Sequence, residues 1–158
     1  MNFAAWTVLA VVLGAATAFA DATTSPGKNS VYVSKLGAPI SNAGANVSAT
    51  IAKGKSKTVL EVDVVVTDTT GSDPAFGASV TVNGVAAAEP SSGVLQVADC
   101  NSGFICTLGS QWWLDLDAAE AAHPGMFKGQ PLVVSADIFS NTATSMADIS
   151  LRARMEKK

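Results

Sequence analysis

The stretch TVLEVDVVVT, residues 58–67, decides the fold of this chain. Leu60, Val62, Val64 and Val66 fall on one side of an extended backbone and Glu61 and Asp63 on the other, because successive side chains of a strand point to opposite faces. A helix would scatter the same residues around its axis, so the period of two specifies a half-buried β-strand. The pattern returns in ASVTVNGV (78–85), with Ala78, Val80 and Val82 opposing Ser79, Thr81 and Asn83. In PLVVSADIF (131–139), Leu132, Val134, Ala136 and Ile138 oppose Val133, Ser135 and Asp137. In MADISLRARM (146–155), Ala147, Ile149, Leu151, Ala153 and Met155 oppose Asp148, Ser150, Arg152 and Arg154.

Three fainter segments, VYVSKL (31–36), NVSATIA (46–52) and VLQVAD (94–99), complete the set. Between the segments stand turn formers: Gly37 to Pro39, Gly54 among lysines, TTGSDP (69–74), Asn83-Gly84, Pro90 to Gly93 and SNTAT (140–144). Short strands at this spacing predict an all-β chain, an antiparallel immunoglobulin-like β-sandwich of about seven or eight strands spanning residues 31–156.

The 158 residues suffice for one domain with a real core. The formal net charge of −3 supplies no positive field for phosphates, so nucleic acid is not an expected partner. Lys53, Lys55 and Lys57, and Arg152, Arg154, Lys157 and Lys158, read as a charged turn and a solvated last strand with no interleaved aromatics.

Ahead of the sandwich, MNFAAWTVLAVVLGAATAFA (1–20) is apolar and ends in Ala18-Phe19-Ala20, the small-x-small pattern cleaved by signal peptidase. It is expected to be a signal helix removed before Asp21, giving a secreted or periplasmic protein with no membrane contact in the mature form. An uncleaved N-terminal anchor is the alternative. Residues 21–30, DATTSPGKNS, read as a flexible leader.

The segment GSQWWLDLDAAEAAHPG (109–125) carries the candidate contact surface. Two adjacent tryptophans on a strand cannot share a face. Trp112 alternates with Leu114 and Leu116 and is assigned to the core, which places Trp113 with Asp115 and Asp117 on the outer face. An outward Trp113 is either covered by neighbouring side chains or offered to a sugar ring or a protein partner. Asp115 or Asp117 can also cap a short helical turn ending at Pro124-Gly125. Two carboxylates fall short of the six to eight oxygens calcium takes. Asp68, Asp73 and Asp99 lie in or near loops and could add ligands, but no calcium loop motif is present, so no metal and no cofactor are expected.

Cys100 and Cys106 enclose NSGFI, and in an exported chain they are expected to form a disulfide. His123 is the one histidine; without G-x-S-x-G, H-E-x-x-H or a phosphate-binding loop it reads as a corner residue. Glu61 with Asp63, and Asp115 with Asp117, read as outer-face charge rather than as glycosidase acids. Asn46-Val47-Ser48 is a glycosylation sequon.

The last third, WWLDLDAAEAAHPGMFKGQPLVVSADIFSNTATSMADISLRARM, resembles the E strand, connecting corner, F strand and G strand of bacterial extracellular immunoglobulin-like or fibronectin-III-like domains. Those families carry a "dGNtAt" turn between the last two strands, which Asn141-Thr142-Ala143-Thr144 echoes without the Asp and Gly. Cys100 and Cys106 lie too close together to be the inter-sheet pair of antibody domains. The resemblance implies a sandwich and no particular activity. The expected function is therefore a noncatalytic extracellular or periplasmic module that binds a protein or polysaccharide. A surface subunit that self-assembles by strand addition is the alternative, and a small secreted hydrolase using His123 is the third reading.

Overall fold

The computed structural model describes residues 22–27, 29–41, 44–52, 57–70, 75–88, 96–100, 106–140 and 145–157. Residues 1–20, expected as a signal helix, the lysines of 53–56, Asp73, NSGFI (101–105) and residues 141–144 lie outside them. Among the described residues, ten strands and one short helix follow in the order β1 (Ala22–Gly27), β2 (Ser30–Ile40), β3 (Ala45–Ile51), β4 (Val59–Asp68), β5 (Phe76–Val82), β6 (Val85–Ala86), β7 (Gln96–Cys100), β8 (Cys106–Asp115), α1 (Leu116–Ala122), β9 (Leu132–Ser140) and β10 (Ser145–Glu156).

The strands form two antiparallel sheets, β1-β2-β10-β4-β8-β7 and β3-β9-β5-β6. Eight of them make the all-β sandwich that the alternation predicts, immunoglobulin-like in architecture. The two edge strands of the larger sheet, β1 and β7, are additions. Residues 22–27, expected as a flexible leader, are instead paired with β2, from Ala22 opposite Ser34 to Gly27 opposite Ser30. The Thr and Ser content of this stretch suits an edge strand as well as a linker, and composition alone does not separate the two.

The chain crosses between sheets at six of the nine connections. β2 pairs with β10, β3 with β9, β4 with β8 and β5 with β6, as though one long antiparallel ribbon had been rolled onto itself. That winding is the jelly-roll form of a two-sheet sandwich. It leaves β2, β10 and β4 side by side in the larger sheet, which fixes what lies next to what on its outer face.

The inward residues are those of the periodic pattern. Leu60, Val62, Val64 and Val66 on β4 and Ala147, Ile149, Leu151 and Ala153 on β10 are buried, as are Leu132, Val134, Ala136 and Ile138 of β9 in the opposite sheet. Each fully buried Val, Leu or Ile contributes about 1.5–3 kcal/mol through removal from water. Trp112 and Phe76 are the largest fully buried side chains of the two sheets.

Two local devices shape the sandwich. Across β2 and β10 the register slips between Ala147 and Ile149, so that Leu36 and Gly37 oppose the single Asp148. Gly37 adopts φ +58°, which suits glycine, and its N–H donates to Asp148 Oδ1 at 2.7 Å. At the other end, Asp115 caps α1 by accepting from the N–H groups of Asp117 and Ala118 at 3.0 and 3.1 Å. The Glu120 carboxylate then accepts from the N–H groups of Gly125, Phe127 and Lys128 at 2.6, 2.8 and 2.9 Å. This turns the corner and holds Phe127 buried in the core.

Candidate functional site

The outer face of the six-stranded sheet carries the side chains that the inner face excludes. The registers of β2, β10, β4 and β8 align them into rows. One row runs Tyr32, Arg152, Asp63, Gln111; the next runs Ser30, Arg154, Glu61, Trp113; a third runs Ser34, Ser150, Val65, Gly109.

Trp113 is 39% exposed, whereas Trp112 beside it is wholly buried. Its backbone is held from both sides. Ala88, just after β6, donates its N–H to the Trp113 carbonyl at 2.8 Å and accepts from the Trp113 N–H at 3.1 Å. With both backbone groups turned toward Ala88, Trp113 forms a non-hydrogen-bonded pair with Glu61 on β4, the arrangement in which facing side chains come closest.

Beside Trp113 lies a chain of polar contacts. Arg154 Nη2 donates to Glu61 Oε1 at 2.5 Å, and the Gln111 side-chain amide donates both to Glu61 and, at 2.7 Å, to Asp63 Oδ1. Gln111 thus separates two carboxylates that stand on the same face of β4. The hydrogen bond from Arg154 to Glu61, and then the Glu61 charge itself, push the guanidinium above its already high ordinary pKa. Asp63 and Glu156 add to this, against the opposing effect of burial. Glu61 is buried despite its outward position because Arg154 and Gln111 cover it.

Next to this network the sheet surface falls into an open depression of about 490 Å³, lined chiefly by Tyr32, Asp63, Val65, Gln111, Ser150 and Arg152. Its shape follows from the rows. Ser150 and Gly109 flank Val65 with little or no side chain, while Tyr32, Arg152 and Gln111 stand up around it. Tyr32 is 37% exposed at the β2 side. Three strand spacings separate β2 from β8, so the Tyr32 and Trp113 columns stand roughly 14 Å apart across the sheet.

The sequence placed Trp113, Asp115 and Asp117 together on one outer strand face, and the structure leaves Trp113 exposed there while the strand ends at Asp115. Asp115 is committed to the helix cap, and α1 begins at Leu116, so Asp117 leaves the alternation of the strand and lies exposed on the first helical turn. The period of two stops where the cap starts. Asp68 is buried and accepts from the Thr70 N–H and hydroxyl at 2.9 and 2.7 Å, a turn contact. Among the described residues no group of three or more His, Cys, Asp or Glu is placed to hold a metal ion. His123 ends α1, donating its N–H to the Ala119 carbonyl at 2.8 Å, and is exposed. Cys100 and Cys106 are direct cross-strand partners on β7 and β8.

Sequence reasoning missed Tyr32, Gln111 and Arg152 as parts of one surface. The V-Y-V alternation at 31–33 already turns Tyr32 outward, but only the β2–β10–β4–β8 order brings it into line with the others. No family model matches the chain, and no curated protein matches it.

Proposed function

We propose that this chain is an exported, noncatalytic binding module whose contact face is the outer surface of the six-stranded sheet, between Tyr32 and Trp113. The observation that carries the reading is the pairing of two half-exposed aromatic side chains with a depression whose polar walls are already held in place. Aromatic and arginine side chains on a rigid surface are the groups that dominate recognition energetics, and ordering them in advance lowers the entropic cost of binding. Hydroxyl-radical footprinting in the presence of extracellular polymers and envelope proteins tests it. Protection of Trp113 and Tyr32, with Phe139 on the opposite sheet unprotected, is the expected result; protection confined to other surfaces overturns the reading.

Export and a Cys100–Cys106 disulfide belong to the same reading. In support, directly opposed residues of an antiparallel pair have Cα atoms about 4.5–5.5 Å apart, inside the range a disulfide spans. Purified protein that takes up alkylating agent only after reduction is the expected behaviour.

One observation favours a second reading, assembly through a sheet edge. β3 pairs with β9 on one side, and its sequence ANVSATI carries neither a charge nor a proline. These are the devices that blunt edge strands. Among the described residues one cation reaches it, Lys35, whose Nζ donates to the Asn46 carbonyl at 3.4 Å. Sedimentation over a wide concentration range decides: a strict monomer removes this reading.

A further inference from the structure

We infer that the depression on the six-stranded sheet takes an uncharged saccharide chain lying across the strands, an inference that rests on the binding-module reading and names its ligand class. Three features converge on that chemistry.

The first is charge balance. Arg152 and Asp63 are cross-strand neighbours in the depression, and Arg154 is already spent on Glu61 in the next row. Cations and carboxylates alternate, so no single-sign field selects an anionic or cationic partner.

The second is the mixture of donors and acceptors left over. Arg152 enters no ion pair among the described residues, so its fork of N–H donors is open to a ligand. Gln111 is oriented by its two carboxylate acceptors, which leaves its Oε1 as an acceptor. The Ser150 and Tyr32 hydroxyls serve either way. Neighbouring hydroxyl groups of a sugar each donate and accept, and such a set of planar and hydroxyl side chains on a stiff sheet satisfies them without requiring a charge.

The third is the placement of flat apolar surface. Tyr32 and Val65 line the depression, and Trp113 stands half-exposed one row beyond Gln111, where a chain leaving the depression would meet it. A pyranose ring is polar around its rim and apolar on its C–H faces, so a ring resting on an aromatic face buries that surface while the rim meets polar groups. The depression is open along the sheet, which lets a chain pass through it.

The test is affinity electrophoresis of the full protein in gels containing neutral polysaccharides (amylose, xylan, mannan, mixed-linkage glucan) or acidic ones (polygalacturonate, alginate), at low and high salt. Retardation by at least one neutral polysaccharide, unchanged by salt, is expected. Tyr32→Ala and Arg152→Ala should each weaken it by roughly tenfold, on the scale of one lost stacking or bidentate contact. Arg152→Lys, which keeps the charge but loses the planar fork, should weaken it as well. Phe139→Ala on the far sheet should leave it unchanged, and thermal melts confirm that every variant is folded. Retardation only by acidic polymers and abolished by salt, or footprint protection of Trp113 by a protein with no polysaccharide retarded, overturns the saccharide inference while the binding face stands. Retardation that survives all the Tyr32 and Arg152 variants, with no footprint on Trp113, overturns both.

Discussion

The ring of Phe139 lies over the backbone of Gly77, its cross-strand partner on the outer face of the four-stranded sheet, in the space where any larger residue would place its Cβ. An aromatic residue covering a strand glycine compensates for the packing the glycine lacks. Gly77→Ala therefore drives the Phe139 ring off the sheet. Because that ring is half-exposed and free to swing, the cost is about 1 kcal/mol rather than that of a core clash. In a double-mutant cycle by urea unfolding, Gly77→Ala should cost little once Phe139→Ala is present; additive losses would show that the two residues are not coupled.

Trp112 and Trp113 should differ as sharply in solution as they do in position. Trp112→Ala empties a fully buried site and costs about 3–5 kcal/mol, whereas Trp113→Ala stays within about 1 kcal/mol of the parent. In single-tryptophan variants, acrylamide should quench Trp113 emission and leave Trp112 emission largely untouched. Equal quenching would contradict the assignment of faces.

Glu120 gathers three backbone N–H groups of the corner between α1 and β9. One carboxylate oxygen serves Gly125 and the other serves both Phe127 and Lys128, so Glu120→Gln replaces one acceptor with a donor facing a donor. The expected loss is about 1 kcal/mol, because the turn is exposed apart from Phe127 and water replaces part of what the carboxylate supplied. Hydrogen exchange should accelerate at Gly125, Phe127 and Lys128 before it does in β9; unchanged exchange would mean the corner holds itself.

The Arg154–Glu61 pair predicts a flat response to alkali. A guanidinium whose folded pKa is raised contributes stability that is fully present below its unfolded value and is lost only as pH rises through the folded one. Both values lie beyond the mildly alkaline range, so the stability difference between the protein and Arg154→Gln should hold constant from neutral pH upward. A difference that shrank with mild alkali would point to another titrating group. Pairing Arg154→Gln with Glu61→Gln should recover most of the loss, since the buried carboxylate left without its cation carries the penalty.

The dry face of this protein was legible in the sequence because burial imposes a period of two, which β9 and β10 display without interruption and β4 and β5 break only at the covered Glu61 and Gly77. Alternation says which way Arg154 points but not that Glu61, 93 positions earlier, stands beside it. Neighbour relations across a sheet come from strand order, which no local pattern encodes. For the same reason Trp113 was placed correctly on its face while Tyr32, three strands away, was not joined to it. Asp115 was legible as a cap or as a surface acid, and the helical turn at Leu116 chose the cap. The bulge at Gly37 went unread because its counterpart, Asp148, supplies the acceptor from 111 positions further on.

The rolled ribbon also sets a timetable. The middle of the larger sheet is made by β10 and β4, and β10 is the last strand, so a ribosome must deliver more than a hundred residues beyond β2 before β2 gains its partner on that side. Closing so long a loop before any contact rewards it makes assembly slow, on the order of milliseconds to seconds for such non-local topologies. During that interval the central seam, β10 between β2 and β4, is unmade, and the strands on its two sides lack the one partner that joins them.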